Sequence, residues 1–224
     1  MAESNSTGRL SIASLILVPA IITLAVTVLR LAGELEHWSK ALYNSDAGGP
    51  WSIIGITWLA PVFGLYFGLK LARAGEGPAS SWRAMGVAVL GWVIMFASQF
   101  VGSRFVFPHG FEAGLIFFWV ALSLAGLLQI AAWPELFKVL LAYGYAARVP
   151  VAVVMFLAFM GRWGTHYDAL PPGWVSKGLW GDFIWLGFFP QMTLWVGYTL
   201  VAGMLFGSVA AAVARALRHA PQPA

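Results

Sequence analysis

The chain has 224 residues, 60% of them apolar and only 10% charged, with a formal net charge of +4 and no cysteine. A soluble domain carries about 25% charged residues and about 45–50% apolar ones, so a water-facing globular enzyme is excluded, and a disordered chain with it. The missing cysteines remove disulfides, thiol catalysis and Cys-ligated metals, and a mean hydropathy of +0.79 with 12 Trp and 16 Phe fits an all-α polytopic integral membrane protein.

A spanning helix needs about 20 mostly apolar residues to cross a hydrocarbon core about 30 Å thick. In chain order, six runs meet that need: Leu10–Leu31, Trp51–Leu71, Ala84–Ser103, Glu112–Ala132, Lys138–Gly161, and a last one within Phe183–Ala214, taken as 190–214. The whole chain, 1–224, reads as a single membrane domain. The first run is predicted to be a retained helix and not a signal peptide: MAESNSTGR holds one basic residue, and the apolar stretch exceeds the usual 7–15 residues. Pro150 is predicted to kink the fifth helix, and Pro190 to kink the sixth or to set off an aromatic segment before it.

Basic residues near the span ends give the orientation. Threaded with the N-terminus inside, the inner face collects Arg9, Lys70, Arg73, Arg83, Lys138, Arg215 and Arg218, against Arg30, Lys40, Arg104, Arg162 and Lys177 outside. Both termini are therefore expected inside, in a plasma (inner) membrane, and the positive charge is assigned to this bias and not to a nucleic-acid partner. The first and fifth helices share a Val-Pro step (Val18-Pro19, Val149-Pro150), and each is followed by a helix with a Pro and a Gly pair. That pattern would make helices 1–2 and 5–6 a weak parallel repeat, although chance similarity between apolar hairpins explains it as well.

Three groups of polar residues stand out against this apolar background. Arg148 lies inside the fifth span, where Arg at a helix centre costs about 2.5–3.5 kcal/mol unless it faces protein or water. Its expected partners are Gln99, Gln129, Gln191, neighbouring tyrosines or an anionic ligand; the bland reading is snorkelling to the headgroups. Thr23, Thr27, Arg30, Glu34 and His37 recur at helical spacing on one face of the first helix, either lining a cavity or forming a helix seam in which Thr bonds its own backbone. Finally, Glu34-x-x-His37, His109-x-x-Glu112 and His166-x-Asp168 fall near the outer face, where a transition metal could sit, or where each pair simply hydrogen-bonds.

Residues 162–189, with Trp163, Trp174, Trp180 and Trp185 around Pro171-Pro172-Gly173, read as an aromatic-rich outer loop. Gly64-x-x-x-Gly68 and Gly203-x-x-x-Gly207 offer faces for close helix contact, within the subunit or in a homo-oligomer. The leading functional expectation is a transporter or channel for a small, anionic solute, moving between helices and held by Arg148. The alternatives are a membrane-embedded metal enzyme with an outer His/carboxylate site, and a non-catalytic membrane subunit or scaffold whose partners are lipid and other proteins.

Overall fold

The computed structural model describes residues 10–47 and 52–218; Arg9 with the rest of the N-terminal MAESNSTGR, and Trp51, lie outside the described residues. Among the described residues there are six helical stretches and no strand. They are α1 (Ile12–Leu35), α2 (Leu59–Arg73), α3 (Ser81–His109), α4 (Phe111–Ala131), α5 (Pro134–Gly161) and α6 (Gly178–Arg218). All except α2 are long and apolar enough to cross a membrane. The molecule is thus an all-helical membrane protein.

The second predicted span needs correcting. The helix begins at Leu59 and not near residue 51, and its 15 residues reach about 22 Å at 1.5 Å per residue, short of the core thickness. Pro61 explains the late start, since a proline without an N–H is suited to the first turn of a helix and clashes with the carbonyl four residues back if the helix extends before it. Residues 52–58 form turns in its place.

The predicted outer loop 162–189 is also shorter than expected. Irregular structure ends near residue 177, and from Gly178 the chain is helical for 41 residues. Pro190 does not end α6. It opens the second of two wide π turns, Phe183–Phe188 and Pro190–Leu194, which accommodate the lost N–H and the ring without ending the helix. A helix of that length spans about 60 Å, twice the hydrocarbon thickness, so α6 extends well into the interfacial zone.

The lower part of α6 is the centre of the bundle and packs against α2, α3, α4 and α5, while α1 leans on α5 at the periphery. Glycine sets the closest approach. A Cβ added at Gly64 would come within 2.5 Å of the Gly203 carbonyl oxygen, and one at Gly68 would strike the backbone of Gly207. Both glycine pairs are thus used against each other inside one subunit, with α2 and α6 running parallel. Around this seam lie Phe63, Phe67, Leu71, Leu136, Leu140, Tyr143, Leu200 and Met204, all buried.

The start of α1 and the end of α6 share one end of the bundle. Gly75 and Gly77, in the α2–α3 connection, border Leu10 on one side and Arg218 on the other. This basic end carries Arg73, Arg215 and Arg218; the opposite, loop end carries the connections after α1, α3 and α5.

Candidate functional site

Helix α5 starts at Pro134, four residues earlier than predicted, which puts Arg148 midway along it, about 20 Å from either end. Snorkelling is thereby excluded: Arg148 is only 4% exposed. Its Nη1 donates weakly to Gln191 Oε1 at 3.4 Å, its guanidinium lies 4.8 Å from the centre of the Trp195 ring, and its Nε has no hydrogen-bond partner. The π turns of α6 bring Gln191 and Trp195 to this point, and Gln191 Nε2 is held in turn by Met155 Sδ at 3.4 Å. Among the described residues no carboxylate pairs with Arg148.

Arg148 lines a cavity of about 320 Å³ that opens toward the loop end. At about 30 Å³ per water this is room for roughly ten waters, the lower end of the range for small-ligand sites. Its walls come from α1 (Thr27, Arg30), the turns before α2 (Ile56, Thr57), α4 (Phe111, Leu115), α5 (Val151, Met155), the loop (His166, Tyr167) and α6 (Gln191, Trp195). The wall is amphipathic: aliphatic and aromatic surface surrounds a few polar groups.

The stripe on α1 divides in two. Thr23 and Thr27 donate to the carbonyls of Pro19 and Thr23, and Thr23 also bonds the Tyr143 hydroxyl at 2.9 Å, so the Thr hydroxyls belong to a helix seam with α5. Thr27 nevertheless forms part of the cavity wall. Further along, the Glu34 carboxylate is fully enclosed: Arg30 Nε donates to Oε1 at 2.8 Å, the His166 backbone N–H donates to Oε2 at 2.8 Å, and His166 Nδ1 lies 2.6 Å from Oε1. Arg30 also donates to the Asn44 carbonyl. Burial pulls the His166 imidazole below its ordinary value, with the Glu34 contact offsetting only part of that, and burial likewise pushes the Tyr167 phenol up.

The other sequence candidates disperse. Gln99 is exposed on α3, and Gln129, wholly buried, donates to Val87 and Ala125 carbonyls between α3 and α4, away from the cavity. His37 takes a positive φ of 54° where α1 ends, so it leaves the helical face of Glu34 and points into exposed surface. His109 is exposed, Glu112 pairs with Lys177 at 2.8 Å, and Asp168 accepts from Gly164, Thr165 N and Thr165 Oγ1 to fold its own loop. Among the described residues no three His, Asp or Glu side chains converge as a metal-ligand set. Sequence reasoning missed Trp195, Tyr167, Thr57 and Met155 as cavity residues; only the four-residue step from Gln191 to Trp195 could have drawn attention to one of them.

What these observations define is a polytopic helical membrane protein with a cationic cavity of about 320 Å³ at the middle of α5. Comparison of the chain with protein-family models, with curated proteins and with solved structures finds no match.

Proposed function

We propose that this chain carries a small amphipathic organic anion, of the monocarboxylate class, across its membrane, with Arg148 as the binding group. One observation carries the reading: a guanidinium buried midway along α5, facing a cavity, with an unpaired Nε and, among the described residues, no carboxylate paired with it. Such a charge is expensive in a bilayer unless something compensates it. An opposite charge at 4 Å is worth about 4 kcal/mol at an effective dielectric of 20. Glu34 is already engaged by Arg30 and His166 and so cannot supply it. The apolar wall of Ile56, Leu115, Val151 and Trp195 suits a hydrocarbon or aromatic tail, while Gln191 and Arg148 suit its carboxylate.

The test is uptake into proteoliposomes of labelled monocarboxylates from acetate to benzoate, by wild type and Arg148→Gln. Uptake of at least one of them should fall at least tenfold in a variant that stays folded by gel filtration and circular dichroism. Undiminished uptake in that variant, or none by the wild type across the series, would overturn the proposal. The metal-enzyme alternative has less support, because among the described residues only His166 and Glu34 of its candidate ligands meet, and no three converge.

A further inference from the structure

At the basic end, away from Arg148, two cavities meet. One is an apolar groove of about 710 Å³ between α2 and α6, walled by Leu65, Tyr66, Leu69, Val209, Val213 and Leu217 and closed by Arg73 and Arg218. The other is a notch of about 450 Å³ under the α2–α3 connection, formed by Gly75, Gly77, Pro78, Arg215 and Arg218. Ala214 and Arg218 belong to both, so groove and notch are continuous.

We infer that this is a binding site for one anionic phospholipid, its acyl chain in the groove and its phosphate among Arg73, Arg215 and Arg218. The dimensions fit a lipid. From Leu65 to Arg73 the groove runs about 12 Å at 1.5 Å per residue, close to the roughly 15 Å of one leaflet. It lies on a spanning helix, and Val213 and Leu217 present exposed apolar surface there. The chemistry changes from hydrocarbon to guanidinium at the depth where a lipid changes from chain to headgroup.

The guanidiniums are also set for a headgroup. Arg215 Nη2 donates to the Pro78 carbonyl at 2.7 Å and Arg218 Nη2 to the Ala72 carbonyl at 2.8 Å. These bonds pin both side chains across the α2–α3 connection and use only part of a five-donor fork. Lys70, 5.8 Å over the Tyr66 ring, adds a further positive charge at the groove wall. Among the described residues no carboxylate lines either cavity; Glu76 and Glu135 border a separate one with Lys138. A charge set of this sign selects anionic over zwitterionic headgroups.

The experiment is native mass spectrometry and thermal unfolding of the full chain in mild detergent, with phosphatidylglycerol or phosphatidylcholine of identical chains added. Phosphatidylglycerol should remain bound at one per chain and raise the unfolding temperature, with at least tenfold weaker retention of phosphatidylcholine. Arg73→Gln/Arg218→Gln should remove that preference, and Val213→Trp, which fills the groove, should remove retention. Equal retention of both lipids by the wild type would overturn the inference without recourse to any variant. So would equal protection by inorganic phosphate, which would mark a headgroup pocket without an acyl groove. None of these outcomes depends on Arg148, so the site stands or falls apart from the proposed transport.

Discussion

Glu34 and Glu112 are both carboxylates at the loop end, and their surroundings give them opposite weights. Glu34 is enclosed with Arg30 and His166, whereas Glu112 and Lys177 are each 40% exposed. Removing one member of a buried ionic cluster strands the others, at about 3–5 kcal/mol, so Glu34→Ala should lower the thermal unfolding midpoint sharply. Glu112→Ala should leave it unchanged within error, because an exposed pair contributes little; equal effects would refute the distinction. His166 gives the cluster a pH dependence. Burial holds its imidazole below the ordinary 6.5, so the folded chain takes up that proton less readily than the unfolded one. The contribution to stability is whole above 6.5 and is lost as pH falls from about 6.5 through the lower folded value. The unfolding midpoint should therefore decline on acidification over that window, and His166→Gln should flatten the decline; an unaltered slope would assign it to other groups. The Arg30–Glu34 pair was readable in the sequence from its four-residue helical spacing, but the His166 contact was not. Glu34 and His166 are 132 positions apart, and the nearer His37, three residues on, seemed the natural partner until the helix end at φ 54° removed it.

Between elements, the parallel contact of α2 with α6 is the most extensive in the bundle, and four glycines leave room there for backbone against backbone. Gly64→Ala places a methyl within 2.5 Å of the Gly203 carbonyl oxygen, so backbone must move, at about 1–3 kcal/mol. Gly86, on α3, has nothing within 4 Å of its built Cβ, and Gly86→Ala should be neutral or stabilising by up to about 1 kcal/mol through helix propensity. Unfolding of the two variants in the same detergent decides the matter, and similar midpoints would remove the seam from the account. The Gly-x-x-x-Gly spacing made close contact legible, but not which helix would answer it, since that depends on the register of two segments some 140 residues apart. Helix length was legible where an apolar run had clear polar ends, as in α4, whereas α3 runs from Ser81 to His109 and so extends past the expected Ala84–Ser103 at both ends. Lengths were misread at α2 and α6 because hydropathy is blind to Pro61 seating itself in a first turn, and to Pro190 being absorbed by π turns.

At the scale of the whole molecule, a peripheral α1, a central α6 and a loop folded by Asp168 and Asp182 enclose the cavity that Arg148 lines. Arg148 was legible as its focus because one cation in a long apolar run has nowhere inconspicuous to go. Trp195 was not, because its approach depends on the widened turns just before it. A lone guanidinium at mid-span is also a charge in the membrane's electric field. Moving one elementary charge through that field is worth about 2.3 kcal/mol per 100 mV. With an anion docked on Arg148 the pair is neutral and feels little of it; without the anion the charge is bare. In the transport cycle proposed, voltage therefore acts on the return of the empty carrier. Net benzoate uptake into liposomes should change with an imposed potassium diffusion potential, while exchange of labelled for unlabelled benzoate, which never passes through the empty form, should be indifferent to it.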